Sequence, residues 1–242
     1  MLFMQINSAI FVSDFHLNRS DKKRYAKILN FLTSLAGKYE HVFFLGDTFE
    51  FWYNDRPALL SEYSDIISLL KHLSTGGTQL HFFEGNHDIC YGNFFKNQLN
   101  AQIYNECTTL EINEHKVFLG HGDELDKNNL RYYFFRALLR LKITKLVISS
   151  APSYIVLKIA LLLSKASRNL FRSKNLKAAN QKFIAFASQK LKGDIDIVIL
   201  GHSHIPKSVN LPGGYYFNCG NWLKNSSYVE FNGKTFKLKN HS

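Results

Sequence analysis

Five short apolar runs along this chain each end at residues whose side chains bind metal ions. The five clusters are Asp14-Phe-His16, Gly46-Asp47, Gly85-Asn-His-Asp88, Gly120-His-Gly-Asp123 and Gly201-His-Ser-His204. A glycine beside such a residue lets the backbone leave a strand at an angle that other residues avoid, and it allows close approach to an ion. In an open α/β sheet, loops at the carboxyl ends of neighbouring strands converge on one crevice. We therefore expect these clusters to share one site, although they are far apart in sequence.

Between the clusters, short apolar strands alternate with helical patterns. Strands are predicted at residues 9–12, 41–45, 79–83, 109–112, 116–119, 195–200, 215–218, 228–231 and 235–238. Helices are predicted from about Asp21 to Leu35 and from Leu59 to Leu73. This alternation is typical of an α/β fold, and we predict a layered β-sandwich with a mixed sheet, flanked by helices.

Length and cysteine content limit the class of protein. The 242 residues suit a single domain spanning residues 1–242. Cys90, Cys107 and Cys219 are widely spaced and form no CxxC pair, which argues against a disulfide framework and against a zinc site built from cysteines. The first residues contain neither a basic segment nor a small-residue cleavage site, so no signal peptide is expected. These observations predict a cytoplasmic protein.

The net charge of +11 is concentrated in one segment. Residues 127–192 contain fifteen Lys and Arg and no Asp or Glu, and the helical pattern from about 128 to 192 predicts an inserted lid. Its most apolar stretch, residues 155–163, is interrupted by Lys158 and is too short to span a membrane. Such a segment suits an interfacial helix or the walls of an acyl-chain site, with a helical hairpin packed on the core as the alternative. Its charge predicts an anionic partner: nucleic acid, anionic lipid or a phosphorylated substrate.

The clusters occur in the order DxH, GD, GNHD, GHGD and GHSH, and together they resemble the motifs of the calcineurin-like metallophosphoesterase family. The resemblance runs from Asp14 to His204. It implies a metallophosphoesterase β-sandwich that hydrolyses a phosphate ester or anhydride with two divalent metal ions. The ligands implied for the first ion are Asp14, His16, Asp47 and His204. Those implied for the second ion are Asp47, Asn86, His121 and His202. Imidazole and carboxylate suit manganese, iron, cobalt or zinc, and manganese is the metal we expect.

His87 and Asp88 follow Asn86 but do not fall at ligand positions. The resemblance implies that His87 stabilises the transition state or acts as the general acid, with Asp88 orienting the imidazole ring. A carboxylate beside a histidine raises the pKa of the imidazole. The residues alone leave a second interpretation open, in which Asp88 only closes the loop.

A narrower resemblance is to the family of bacterial UDP-2,3-diacylglucosamine pyrophosphatases of the lipid A pathway. It rests on Gly46-Asp-Thr-Phe-Glu-Phe-Trp52, on Tyr132, Phe135-Arg136 and Arg140, and on the basic insertion. It implies cleavage of the substrate's diphosphate bond to UMP and 2,3-diacylglucosamine 1-phosphate, with the insertion covering the acyl chains. The substrate contacts expected from charge and location are Tyr132, Arg136, Arg140, Arg168 and Lys174. The chain departs from that family at His87, where those enzymes have arginine.

These features predict a lipid-linked nucleotide as substrate and peripheral contact with the anionic cytoplasmic face of the inner membrane. Neither a nucleic acid nor an obligate protein partner is expected. A rival interpretation is a metallophosphoesterase for nucleotides, nucleic acid or another phosphodiester, but residues 143–163 offer only Tyr154 for stacking bases. A phosphoesterase fold retained as a non-catalytic scaffold is a third interpretation. It predicts missing ligands, whereas all seven ligand positions are filled.

Overall fold

The fold is built from two six-stranded β-sheets that face each other. The computed structural model describes residues 2–125, 141 and 176–241. In spatial order, the first sheet contains β14 (Phe236–Asn240), β13 (Ser227–Phe231), β2 (Ala9–Val12), β3 (His41–Leu45), β5 (Gln79–Phe83) and β7 (Gln102–Tyr104). The second sheet contains β1 (Leu2–Met4), β8 (Thr108–Ile112), β9 (His115–Gly120), β10 (Ile197–Leu200), β12 (Gly214–Asn218) and β11 (Lys207–Leu211). A separate parallel ribbon pairs β4 (Trp52–Tyr53) with β6 (Asp88–Ile89).

The core between the sheets follows from the alternation of side chains along each strand. In β2, Ala9 and Phe11 belong to the cluster between the sheets, whereas Ile10 and Val12 belong to the cluster on the outer face. The ring of Phe11 stacks on Phe43 of the neighbouring strand, with centroids 4.6 Å apart. One strand therefore contributes to two apolar layers, which fixes its register.

Helices cover the outer faces of both sheets. The first sheet is covered by α1 (Lys22–Ser34), α2 (Pro57–Glu62), α3 (Ser64–Thr75) and α4 (Asn93–Gln98). The second sheet is covered by α5 (Leu176–Lys190), whose Phe183 and Ala187 pack with Val198 and Tyr216. The layered α/β sandwich flanked by helices that the sequence predicts is therefore confirmed.

The structure divides the predicted helix from Leu59 to Leu73 into two. Tyr63, with φ −108° and ψ 26°, separates α2 from α3. Its ring packs on Phe49, and its hydroxyl donates a 3.0 Å hydrogen bond to the carbonyl of Leu17. A buried tyrosine hydroxyl needs a partner, and this tertiary contact outweighs the weak preference for an unbroken helix.

The predicted insertion at about 128–192 lies largely outside the described residues. Its described part consists of Leu141 and residues 176–192. Ala187 and Leu191 are buried against the second sheet, so this end of the segment forms part of the outer layer of the fold. Among residues 2–125 and 176–241, no helix is long and apolar enough to cross a membrane.

Parallel pairing brings the predicted clusters to one rim of the sandwich. β2, β3 and β5 run parallel and side by side in the first sheet. β9, β10 and β12 do the same in the second sheet. Neighbouring parallel strands end at the same edge, so the loops after β2, β3, β5, β9 and β10 carry all five clusters to this rim.

Candidate metal centre

Three of the predicted ligands form one tight group beside the carboxylate of Asp47. His204 Nε2 lies 3.0 Å from Asp14 Oδ1 and 3.4 Å from His16 Nε2. His16 Nε2 also lies 3.6 Å from Asp47 Oδ2. Ligand atoms of Asp14, His16 and His204 all lie within 4.8 Å of one another, a spacing that one metal ion can bridge.

A second group also includes Asp47 and draws on both sheets. His121 Nε2 lies 3.4 Å from Asp47 Oδ2, 3.1 Å from Asn86 Oδ1 and 3.1 Å from His202 Nδ1. The other ring nitrogen of His121 hydrogen-bonds to Leu45 O at 2.9 Å. Because a carbonyl only accepts, this Nδ1 carries a proton, which in the neutral ring leaves the lone pair of Nε2 facing the group.

The structure thus brings all seven predicted ligands into one cluster, of which Asn86, His202 and His204 are partly exposed and the other four are buried. Its members are Asp14, His16, Asp47, Asn86, His121, His202 and His204. Asp47 is the residue common to both groups, since its Oδ2 faces His16 and His121. Its Oδ1 accepts a 2.9 Å hydrogen bond from the backbone amide of His87. The carboxylate of Asp47 therefore lies between two sets of candidate metal ligands.

Five of these residues have a backbone conformation that L-amino acids seldom adopt. The φ angles are 55° at Asp14, 44° at His16, 52° at Asp47, 63° at His202 and 59° at His204. A left-handed residue of this kind costs about 1–2 kcal/mol. Hydrogen bonds between the loops offset part of the cost, because the amides of Asp14 and His16 donate to Gly46 O and Asp47 O at 3.1 and 2.9 Å. Such strain is typical of functional sites.

Two glycines make space for the ligands. A Cβ at Gly46 would lie 2.6 Å from Cγ and Nδ1 of His121. A Cβ at Gly85 would lie 2.3 Å from Asp47 Oδ1 and 2.5 Å from the backbone nitrogen of Asp47. The sequence predicts close approach of the backbone at such glycines, and the structure shows that the neighbours approached are ligand residues.

Burial and mutual charge set the protonation of the cluster. Burial lowers the pKa of His16 to about 3 and the pKa of His202 to about 4, so both are neutral at pH 7. Burial alone raises the pKa of the Asp14 carboxyl, but the charge on His204 outweighs this, and the pKa falls below its usual 3.8. His121 lowers the pKa of Asp47 in the same way. Burial alone lowers the pKa of His121 and of His204, but the carboxylates of Asp47 and Asp14 outweigh this and raise both values, so each ring must lose a proton to bind a metal ion. Neutral imidazole and ionised carboxylate are the forms that bind metals.

The hydrogen bonds of Asp14 leave one of its oxygens available to a cation. Oδ2 accepts bonds from the Ser13 hydroxyl at 2.6 Å and from the amide of His202 at 2.9 Å. Oδ1 is buried and accepts no hydrogen bond of good geometry within the described part of the chain. A buried carboxylate oxygen in this state needs a compensating charge. The only signal for Ser13 in the sequence is a hydroxyl next to the first cluster, which is too common to predict this contact.

The donor set fits divalent cations. The described groups of metal-type side chains combine carboxylate oxygen with imidazole nitrogen and contain no cysteine. Oxygen and imidazole without thiolate suit manganese, iron, cobalt or zinc in a catalytic site. The seven residues therefore match the chemistry of the ions that the sequence predicts.

The carboxylate of Asp88 faces backbone amides instead of the imidazole of His87. Its Oδ1 accepts the amides of Asp47 and Gly85, each at 2.9 Å. Its Oδ2 accepts the amide of Thr48 at 2.6 Å. This corrects the expectation that Asp88 orients the ring of His87. Asp88 instead closes the loop, because a fully buried carboxylate at this position satisfies amides from two strand ends.

Tyr91 completes this arrangement and was missed in the sequence. Its hydroxyl donates a 2.5 Å hydrogen bond to Asp88 Oδ2. Burial, and next the negative charge of Asp47, raise the pKa of Asp88 to about 7. The spacing of three residues between the tyrosine and the aspartate carries no distinctive signal, since only the turn between them brings the groups together.

The imidazole of His87 is held by a different partner. Its Nδ1 hydrogen-bonds to the backbone carbonyl of Glu50 at 3.0 Å, and its ring stands edge-on to His16 with centroids 4.8 Å apart. Ligand atoms of His16, Asp47 and His87 lie within 4.8 Å of one another. His87 therefore lies at the edge of the cluster, close enough to reach a molecule bound there.

Residues 46–52 form the support for His87. The amide of Trp52 donates to His87 O at 2.9 Å where β4 pairs with β6. Trp52 and Phe49 are fully buried, with ring centroids 4.6 Å apart, and both pack on Phe95. The aromatic residues of this motif thus anchor the loop that presents Asn86 and His87.

The predicted substrate contacts cannot be placed in this site. Tyr132, Arg136, Arg140, Arg168 and Lys174 all lie outside the described residues. They remain predictions from the sequence.

Known proteins resemble this chain over most of its length. The calcineurin-like phosphoesterase family matches residues 8–206. UDP-2,3-diacylglucosamine hydrolase of Haemophilus influenzae (strain PittGG) is 29% identical over 224 residues, covering 90% of this chain and 92% of its own. The protein of the same name from Wigglesworthia glossinidia brevipalpis is 28% identical over 236 residues, covering 96% and 94%. Among solved structures, Vps29 from Entamoeba histolytica aligns over 96% of this chain and 89% of its own, at 15% identity and a TM-score of 0.48.

The family match includes every predicted cluster, from Asp14 to His204. Calcineurin-like phosphoesterases bind divalent metals, and the buried groups around Asp47 offer candidate ligands for them. The chain belongs to the calcineurin-like phosphoesterase family and is a metal-dependent hydrolase.

Proposed function

We propose that this enzyme hydrolyses the diphosphate bond of UDP-2,3-diacylglucosamine, releasing UMP and 2,3-diacylglucosamine 1-phosphate. The observation that carries the proposal is the position of Asp47 between two groups of candidate metal ligands. This position suits a carboxylate shared by two adjacent cations, and two adjacent cations suit a diphosphate substrate. Relatives named UDP-2,3-diacylglucosamine hydrolase, which align over about nine-tenths of this chain, support the choice of substrate. In the reaction a water attacks one phosphorus of the diphosphate, and the bond between that phosphorus and the bridging oxygen breaks.

The seven clustered side chains are the proposed metal ligands. Asp14, His16, Asp47 and His204 hold one ion. Asp47, Asn86, His121 and His202 hold the other. Manganese is the proposed metal, because mixed carboxylate, amide and imidazole ligands suit it. When bound, two such ions neutralise phosphoryl oxygens and lower the pKa of the attacking water.

His87 is the proposed donor to the departing phosphate. The Glu50 carbonyl keeps a proton on its Nδ1, so the ring is held in one orientation at the edge of the cluster. Its Nε2 donates to the phosphate in the imidazolium form, in which both ring nitrogens carry a proton. A departing phosphate is a good leaving group and needs charge stabilisation more than a proton. This explains how histidine can stand where the related lipid enzymes have arginine. Asp88 supports the same loop through the amides of Asp47 and Gly85.

The basic segment is the proposed site for the rest of the substrate. Its fifteen Lys and Arg between residues 127 and 192 provide donors for the diphosphate and for anionic lipid. The proposed contacts are Tyr132, Arg136, Arg140, Arg168 and Lys174. We place the enzyme on the cytoplasmic face of the inner membrane, without an obligate protein partner. We expect the enzyme to bind anionic vesicles and to bind them more weakly as the salt concentration rises, because exposed charges are screened over about 10 Å at 0.1 M. Vesicle binding that does not change with salt would contradict this placement.

Three substrates with Mn²⁺ test the proposal. We expect UMP from UDP-2,3-diacylglucosamine, much slower release from UDP-N-acetylglucosamine, which has the diphosphate without the long acyl chains, and no cleavage of single-stranded DNA. Equal rates on the two UDP-sugars contradict the role of the acyl chains. Release of nucleotides from DNA without UMP from the lipid favours a nuclease instead.

A further inference from the structure

A sixth strand end lies against the loop that carries His202 and His204. β12 runs parallel to β10 and pairs Asn218 with Leu200, so the chain after Asn218 emerges at the same rim as the metal centre. Asn218 is fully buried and Asn221 is 4% exposed. Buried amides need hydrogen-bond partners, and the Nδ2 donor of each of these two residues has one in the loop that carries His202 and His204.

The two asparagines hold the carbonyls at the two ends of the turn from Gly201 to His204. Asn218 Nδ2 donates to Gly201 O at 2.7 Å. Asn221 Nδ2 donates to His204 O at 3.2 Å. The turn between these carbonyls contains His202 and His204, both left-handed, with φ of 63° and 59°.

Each amide has one possible orientation, because its oxygen is also occupied. Asn218 Oδ1 accepts the amide of Gly220 at 3.1 Å, and Asn221 Oδ1 accepts the amide of Lys224 at 2.9 Å. Rotation of the side-chain amide by 180° would place its oxygen against the carbonyl and its NH₂ group against the backbone N–H, so both hydrogen bonds would be lost. The orientation of both side-chain amides is therefore fixed, with Nδ2 directed to the loop that carries His202 and His204.

The same segment also contacts the opposite side of the cluster. The amide of Trp222 donates to Asp14 O at 3.2 Å, and the Trp222 ring packs on Phe15 with centroids 4.9 Å apart. Residues 218–222 thus connect the loop after β10 with the loop after β2. These loops carry His204 and Asp14, whose ligand atoms lie 3.0 Å apart.

We infer that Asn218 and Asn221 are positioning residues for metal binding: they hold His202 and His204 in the left-handed conformation that turns both rings toward the ions. The inference rests on the two-ion site proposed above. Asn221 acts on His204 and so on the ion shared with Asp14, whereas Asn218 acts on the chain entering His202 and so on the other ion. Neither asparagine is itself a ligand.

Asn218→Asp and Asn221→Asp test this, because each keeps the shape and the accepting oxygen but replaces the donor with an oxygen facing a carbonyl. The purified full chain is titrated with Mn²⁺ by calorimetry and electron paramagnetic resonance. We expect about 10- to 100-fold weaker binding of one ion in each variant. At two equivalents, the spin-coupled spectrum of the wild type should give way to the hyperfine pattern of isolated Mn²⁺.

Asn113→Asp is the matched control. Asn113 also donates from Nδ2, to Ile6 O at 2.9 Å and Gly233 O at 3.1 Å, and it accepts the amide of Ile6 at 2.7 Å. It lies between β8 and β9, at the end of the strands away from the metal centre. We expect lower stability in urea and unchanged affinity for Mn²⁺, which separates positioning from a general loss of buried hydrogen bonds.

Each outcome decides the inference. Folded Asn218→Asp and Asn221→Asp proteins that bind two Mn²⁺ with wild-type affinity overturn it and leave the two-ion site standing. A wild-type protein that binds no pair of Mn²⁺ removes the two-ion site and the inference together. If Asn221→Asp does not fold, Asn221→Ser, whose hydroxyl is too short to span both partners, is titrated in its place with the same expected weakening.

Discussion

Asp47 Oδ2 lies 3.4 Å from His121 Nε2, although the two residues follow strands of different sheets. β3 ends immediately before the Gly46-Asp47 turn, and β9 ends immediately before His121. Beneath this contact, Leu45 and Leu119 are fully buried in the apolar layer between the sheets. The metal centre therefore depends on how the two sheets pack, as well as on its own side chains.

Asp47→Asn removes the negative charge common to both donor groups while keeping the size of the side chain. We expect turnover of an aryl phosphodiester with Mn²⁺ to fall about 100-fold or more, because both ions lose a charged ligand. Asp194→Asn is the control, since that carboxylate is 77% exposed and pairs only with Lys116, 3.0 Å away, among its described contacts. Turnover at the wild-type level in Asp47→Asn would exclude a bridging role.

Asp88→Ala should destabilise the fold, whereas His87→Ala should not do so to the same degree. The alanine leaves the buried amides of Asp47 and Thr48 and the hydroxyl of Tyr91 without the Asp88 carboxylate, whereas the Gly85 amide keeps the backbone carbonyl of residue 88 as an acceptor. Each such group costs about 1–3 kcal/mol, so we expect the free energy of unfolding to fall by about 3 kcal/mol or more. Urea unfolding of both variants measures this. Equal losses would mean that Asp88 acts through His87 after all.

Gly85→Ala should abolish metal binding by displacing Asp47. The added Cβ would lie 2.3 Å from Asp47 Oδ1, and the atoms that must move belong to a ligand and its backbone. Gly193→Ala is the matched control, because its Cβ would meet only Lys190 O at an ordinary 3.4 Å. Calorimetric titration with Mn²⁺ compares the two. Wild-type affinity in Gly85→Ala would show that the loop can shift without cost to the site.

A buried histidine away from the metal centre should make stability depend on pH. The ring of His81 stacks on Phe43 with centroids 4.0 Å apart, and its Nε2 lies 2.9 Å from His41 Nδ1. Burial, and next the charge of His41, lower the pKa of His81 to about 3. The unfolded chain takes up this proton near pH 6.5, and the folded chain does so only near pH 3. Stability that is present above pH 6.5 is therefore lost as the pH falls, by about 1.4 kcal/mol per unit.

His81→Phe keeps an aromatic ring on Phe43 but removes the titrating group. In urea unfolding with EDTA, we expect the loss of stability between pH 7 and pH 5 to be about 2 kcal/mol smaller than in the wild type. His72→Phe, on the exposed face of α3, serves as the control and should keep the wild-type slope. An unchanged slope in His81→Phe would assign the pH dependence to other groups.

The sequence by itself determined which residues meet. Ligand-type residues directly after apolar strands reach one rim because parallel strands share their direction, so Asp14, Asp47 and His202 could be placed together from local pattern alone. The sandwich class was equally accessible, since alternation in a strand such as β2 assigns Phe11 and Val12 to opposite layers.

Only the tertiary structure decided how these residues are held. From its position in the sequence, Asp88 could either orient the ring of His87 or close the loop. It accepts hydrogen bonds from the amides of Asp47 and Gly85 because β3 and β5 end next to each other. Asn221 gives no signal in the sequence, because its partner His204 is brought to it by the pairing of β10 with β12. The periodicity of apolar residues indicates which face of a helix or strand is buried. The hydrogen bonds between loops depend on distances that are set when the two sheets pack.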